Sequence, residues 1–178
     1  MRVITGSARG RQLITLKGDA TRPTTQRVKE AVFSAIQFEI EGRRVLDLFA
    51  GSGQMGIEAL SRGAAHALFV DAARPAVEVI RRNLAHTGLQ QKATVLCRQA
   101  EGALLGLREP VDLVFLDPPY GLDLLPQTLA RLQPHLSPYA TVVCEHAADQ
   151  TLPESFGTWV CGPARRYSGV GVTIYRSR

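Results

Sequence analysis

The sequence predicts an α/β fold: a doubly wound, mostly parallel sheet with a C-terminal antiparallel hairpin and a small N-terminal hairpin and helix. Three observations predict it. From residue 45 to residue 144 short apolar runs alternate with helical patterns, which is how a parallel sheet covered on both faces reads. The first run, Val45 to Ala50, is near-continuously apolar and breaks into Gly51-Ser52-Gly53-Gln54-Met55-Gly56 before Met55, Ala59 and Leu60 begin a helical pattern. The last two runs, Thr158 to Cys161 and Val170 to Tyr175, are separated only by residues 162–169, too few for a helical crossover, so they pair antiparallel.

Taken in order, Arg2 to Thr5 and Gln12 to Leu16 are β-prone, and the glycine-punctuated stretch between them makes an antiparallel hairpin. Its tip carries Arg9 and Arg11 among small residues, a composition suited to lying along a phosphate backbone. Thr24 or Thr25 caps the next element, a helix with Val28, Ala31, Val32, Ala35 and Ile36 on one face. Arg27, Lys29 and Glu30 occupy the opposite face, which should be wet. Gly42 ends this segment. Further strands are expected at Ala67–Asp71, Ala93–Cys97, Val111–Leu116 and Ala140–Cys144, and helices at Pro75–Ala85, Ala103–Leu107 and Leu122–Leu132. No repeat or low-complexity linker interrupts them. Residues 1–178 therefore read as one domain, 1–42 as its N-terminal appendage and 43–178 as its core.

A chain of 178 residues buries roughly 70% of its unfolded surface and needs no covalent staples. Cys97, Cys144 and Cys161 are odd in number and far apart, which suits buried or incidental thiols in a reducing cytoplasm. No apolar run reaches membrane-spanning length, so a soluble, unexported protein is expected, and no surplus apolar helix asks for a partner copy, which favours a monomer. Charge is uneven. Residues 1–44 hold nine Lys or Arg against four Asp or Glu, whereas residues 45–178 hold twelve of each, so the whole net charge of +5 lies at the N-terminal end. Such a segment is either a nucleic-acid contact or solvated surface.

Ligands of open α/β sheets gather beyond the carboxyl ends of the parallel strands. Three acids lie at or near such ends: Asp47, Asp71 and Asp117. Asp47 precedes the Gly51-x-Gly53-x-x-Gly56 turn, where a carboxylate repels a pyrophosphate but suits an amino or cationic group; alternatively it caps the turn. Asp71 lies eighteen residues after Gly53, near the spacing at which an acid reaches ribose hydroxyls, unless it simply faces solvent. Asp117-Pro118-Pro119-Tyr120 is the most specific string. Two prolines stiffen the backbone, so an acid, an exposed carbonyl and an aromatic ring are held in fixed relation. Asp117 and the Pro118 carbonyl can accept both hydrogens of a nucleobase amine and aim its lone pair, while Tyr120 stacks on the base. The plain alternative is a strand end followed by a core aromatic. Glu145, after the fifth strand, either lines the pocket or caps the strand.

The Asp-x-Phe-Ala-Gly-Ser-Gly string at 47–53 resembles motif I of the class I S-adenosylmethionine-dependent methyltransferases, and Asp117 to Tyr120 resembles motif IV of their amino-directed members. The chain as a whole resembles the bacterial RsmD family. The resemblance runs through Arg9-Gly10-Arg11, Arg22-Pro23-Thr24, Gly56-Ile57-Glu58-Ala59-Leu60-Ser61-Arg62-Gly63, Asn83-Leu84 and Arg166-Tyr167-x-Gly169. It implies methylation of the N2 amine of a specific guanine, of the position-966 type, in 16S ribosomal RNA within an assembled or partly assembled small subunit. It implies S-adenosylmethionine held by Asp47, Phe49, Ala50, Gly51, Ser52, Gly53, Asp71, Gln99 and Ala100, with Asp where the family often has Glu at 71, and Gln where it often has Asp at 99. Asp117, Pro118, Pro119 and Tyr120 are then catalytic, and Arg9, Arg11, Arg22, Thr24 and Arg27 face the RNA. A sulfonium is already a strong leaving group, so no metal is required. Competing readings are an adenine-N6 methyltransferase, a non-catalytic RNA-binding module, and a nicotinamide-dependent oxidoreductase that uses the glycine pattern but gives the Asp-Pro-Pro-Tyr string no role.

Overall fold

The structure is a computed structural model that describes residues 1–16, 25–119, 124–167 and 169–178. Helix α1 (Gln26–Ala35) leads into β1 (Arg44–Asp47), α2 (Gln54–Ser61), β2 (His66–Asp71), α3 (Arg74–Thr87), β3 (Ala93–Cys97) and α4 (Ala100–Leu105). Then follow β4 (Val111–Leu116), α5 (Leu124–Leu132), β5 (Leu136–Ala147) and the short strands β6 (Ser155–Phe156), β7 (Trp159–Cys161) and β8 (Arg165–Tyr167), before β9 (Val170–Ser177). The strands form one sheet in the order β3-β2-β1-β4-β5-β9-β7-β6, with β8 pairing on β9. β1 to β5 are parallel, and β9 runs antiparallel to both β5 and β7.

Alternation along the strands divides the core. Val45, Phe69, Phe115 and Val143 pack on one face with α1, α2 and α3; Leu46, Val70, Leu116 and Cys144 pack on the other with α4 and α5. Both faces are covered, which is why the central strands read as continuous apolar runs. β1 is flanked by β2 and β4, so strand order reverses beside it and opens a crevice at its carboxyl end.

The N-terminal segment forms the expected antiparallel hairpin, though a minimal one. Its strands share one bridge, Arg2 with Gln12, supported by Val3 N–H to Arg11 O at 3.0 Å and Leu13 N–H to Met1 O at 2.9 Å. Gly10 N–H also bonds across the hairpin to Val3 O at 2.9 Å, whereas the amides of Ile4, Thr5, Ser7 and Ala8 turn to α2. Glu58 of α2 accepts from Ile4 N–H at 2.8 Å and Thr5 N–H at 3.0 Å, Ser61 O accepts from Ser7 N–H at 2.8 Å, and Ser61 Oγ accepts from Ala8 N–H at 3.0 Å. Contact is close enough that a Cβ on Gly6 would lie 1.7 Å from Ser61 O. Val3, Ala8 and Leu13 are buried in the same cluster as α1 to α3.

This docking corrects the expectation of a wholly wet outer face on α1. Arg27 and Glu30 are exposed, but Lys29 is fully buried, paired with Glu58 at 3.0 Å and donating to Arg2 O at 3.1 Å. Glu58 also takes Arg62 Nε at 2.8 Å. Burial drives the Lys29 ammonium below its usual range, while Glu58 works against the shift. The helix starts where Thr25 accepts from Val28 N–H, one of the two caps expected; Thr24 lies outside the described residues.

The antiparallel C-terminal part is present as expected, with β8 added. In it Arg165 pairs with Val172 and Tyr167 with Val170. Among the described residues no helix is long and apolar enough to cross a membrane. Cys144 is buried, Cys161 half-buried and Cys97 exposed, and all three are free thiols.

Candidate active site

At the carboxyl ends of the central strands lies a cavity of about 720 Å³, within the range of small-molecule sites. One end of it is formed by the loops after β1, β2 and β3. In the first loop the three glycines have three separate reasons to be glycine. Gly51 has φ +53°, and a Cβ there would meet nothing within 4 Å, so the bare backbone faces the cavity. Gly53 has φ +76° at the N-terminal end of α2 and turns away from the cavity toward Ile80 and Phe69. Gly56 lets α2 settle on β2, because a Cβ would lie 2.3 Å from the Phe69 ring.

The acids brace this loop. Asp47, only 4% exposed, accepts from Gly56 N–H at 2.9 Å and lines the cavity. Burial pushes its carboxyl up to about 7; the Gly56 amide opposes the shift and the nearby Asp71 charge adds to it. Asp71 accepts from Gly51 N–H through Oδ2 at 2.9 Å and from Ala73 N–H through Oδ1 at 2.8 Å. Both oxygens expected to meet a ribose are thus already used once, and each has a second lone pair for a ligand. Phe49, Ala50 and Ser52 line the cavity beside them. Gln99 is at the N-terminal end of α4, exposed, and joins the lining with Ala100 and Arg98.

The opposite end is built from β4 and β5. Asp117, Pro118 and Pro119 line it, with Pro118 buried and Asp117 half-buried. Glu145, 6% exposed, lines it from β5, and Val172 from β9. Tyr120 lies outside the described residues, as do Arg22 and Thr24. Arg9, Arg11 and Arg27 are exposed and do not line the cavity.

Two features escaped the reading of the sequence. Thr15, Leu16 and Val32 carry the N-terminal segment into the cavity wall. Asn83, fully buried on α3, ties that wall to the glycine loop. Its Oδ1 accepts from Ile14 N–H at 2.8 Å, and its Nδ2 donates to Ile14 O and Ser52 O, both at 2.9 Å. A signal was available: Asn83 sits on the stripe of Val77, Ile80 and Leu84, and a polar side chain on an apolar stripe needs a built partner.

Carboxylates at the ends of β1 and β2, a glycine turn bare toward the cavity and an Asp-Pro-Pro string at the end of β4 share one crevice, and comparison with known proteins agrees. The family model described as conserved hypothetical protein 95 matches residues 1–176. The chain belongs to that family, the RsmD family. YlbH of Bacillus subtilis (strain 168), a candidate rRNA methyltransferase, is 41% identical over 187 residues, spanning all of both chains. Ribosomal RNA small subunit methyltransferase D of Escherichia coli (strain K12) is 35% identical over 161 residues, 89% of this chain and 81% of that one. The solved structure of yhhF from Escherichia coli, a candidate methyltransferase, superposes with a TM-score of 0.88 at 33% identity, covering 100% of this chain and 98% of that one. Fold and family are those of the S-adenosylmethionine-dependent methyltransferases.

Proposed function

We propose that this chain transfers a methyl group from S-adenosylmethionine to the N2 amine of a guanine in small-subunit ribosomal RNA. The observation that carries the reading is that Asp117-Pro118-Pro119 opens into the same cavity as the Asp47, Gly51 and Asp71 loop. The cavity fits the cofactor's chemistry: buried Asp47 suits the cationic methionine end, Gly51 presents bare backbone, and Asp71 retains acceptor capacity for a hydroxyl. When bound, the cofactor supplies an activated methyl group. Asp117 and the Pro118 carbonyl accept the two amine hydrogens, which localises the nitrogen lone pair and aims it along the transfer axis. The proton lost from N2 passes to the Asp117 carboxylate.

Residues 43–178 are the catalytic core in this reading. Residues 1–42 face the RNA through Arg9, Arg11 and Arg27, and the chain acts as a cytoplasmic monomer on an assembled or partly assembled subunit. The test is methyl transfer from labelled S-adenosylmethionine to small subunits lacking the modification, with nuclease digestion to identify the product. N2-methylguanine at one site is expected. N6-methyladenine would replace guanine by adenine as substrate, and absence of transfer to any subunit preparation would overturn the reading.

A further inference from the structure

We propose that Glu145 selects guanine over adenine, by accepting the ring N1–H that guanine carries and adenine lacks. This deepens the methyl-transfer reading above and rests on it. The placement comes from the register of the sheet. β4 and β5 pair Phe115 with Val143 and Leu116 with Cys144, so Asp117 and Glu145 are the next residues along two neighbouring strands. Adjacent strands lie about 4.8 Å apart, and alternate residues share a face. Phe115 and Val143 belong to the α1 side of the sheet and line the cavity, and Asp117 and Glu145, two residues further on, line it too. Val172, the β9 partner of Glu145, continues the same wall. Two carboxylates therefore stand side by side where the target base enters, one at the strand end and one nearly buried beside it.

The two purines present different edges to such a pair. In guanine the exocyclic amine adjoins an N1–H, so the edge is a run of donors. In adenine the amine adjoins a bare N1, whose lone pair points outward. With the amine held by Asp117 and the Pro118 carbonyl, the proposed pose turns ring N1, rather than the bare N3 on the amine's other side, toward the neighbouring strand. Guanine then gives Glu145 a charge-assisted hydrogen bond in a nearly water-free place. Adenine sets a lone pair against a carboxylate, and a site built to hydrogen-bond one group rejects an analogue that lacks it far more strongly than an apolar pocket could. A carboxylate with only a structural role inside β5 would make no such distinction.

The experiment uses the full chain and small subunits reconstituted around RNA carrying either guanine or 2-aminopurine at the target position. 2-Aminopurine keeps the amine on C2 but has an acceptor at N1. The wild-type chain is expected to favour guanine by roughly a hundredfold or more in kcat/KM. In Glu145→Gln the side-chain amide can donate, so the ratio should shrink by about tenfold or more, with affinity for S-adenosylhomocysteine retained. Glu145→Asp, which keeps the acceptor, should slow both substrates and preserve the preference. An unchanged guanine to 2-aminopurine ratio in Glu145→Gln, with the wild type active on guanine, overturns the proposal alone. A wild-type chain that modifies adenine and leaves guanine untouched sinks the guanine reading as well.

Discussion

At the β1–β2 end of the cavity rigidity comes from backbone amides that donate to carboxylates, whereas at the β4 end it comes from prolines that have no amide to donate. Gly51, Gly56 and Ala73 each give an N–H to Asp47 or Asp71. Pro118 and Pro119 hold the chain by restricting φ and leave Asp117 to face the cavity. The difference fits the role proposed for each end. A loop braced by its own acids keeps one shape with or without a ligand, which suits a cofactor that must be gripped. A proline-stiffened acid at the cavity wall suits the proposed role of aligning a group that is then released.

The largest expected effect is therefore at the β4 end. Asp117→Ala should lower single-turnover methyl transfer by about a hundredfold or more while calorimetric affinity for S-adenosylhomocysteine stays within about twofold. Equal losses of rate and affinity would erase the division between the ends. Next comes Asp71→Ala, which strands the Gly51 and Ala73 amides at a cost of about 1 kcal/mol each, the low end for groups near solvent. Cofactor affinity should fall about tenfold and the melting temperature should drop, yet the rate at saturating cofactor should change little.

Asp47 sharpens the comparison through pH. Its folded carboxyl is raised from 3.8 to about 7, so between those values the native state holds a proton that the unfolded chain has released. Stability of the ligand-free protein should decline as pH rises through this window, by up to about 1.4 kcal/mol per unit from this group, and level off above it. Affinity for a cationic ligand should rise over the same window as Asp47 becomes charged. Thermal melts and titrations from pH 5 to 8 report both trends, and Asp47→Asn should flatten both. The smallest effect belongs to neither end: Arg9→Ala with Arg11→Ala should reduce the salt dependence of RNA binding by roughly 0.7 to 0.9 in log–log slope per lost contact, leaving cofactor affinity alone. An unchanged slope would take the N-terminal arginines off the RNA.

What could be read from the residues in advance follows the range of the forces involved. β3 and β4 have the bounds expected of them, and the glycine turn lies where the first apolar run breaks, because strand patterning and backbone geometry are local. Asp47, Asp71 and Asp117 line one cavity because strand ends converge there by topology. Lys29 reads as wet from the sequence because its partner, Glu58, belongs to another helix, and one charge on a helix face looks solvated until the covering segment is known. The Asn83 clamp, the cavity-lining Thr15 and Leu16, and the backbone bonds from Ile4 to Ala8 also depend on partners far along the chain. β8 has three residues, too few for alternation to declare itself.

The anchoring of the N-terminal segment sets an order of assembly during synthesis. Ile4 is separated by 54 residues from the carboxylate that receives its amide, and Ile14 by 69 from the side chain that holds it. A chain made from its N-terminus emerges at about 5–20 residues per second, so this segment waits some seconds for α2 and then α3 to leave the ribosome. This stretch thus cannot find its place before Glu58 and Asn83 have been made, and until then the cavity wall that Thr15 and Leu16 complete does not yet exist.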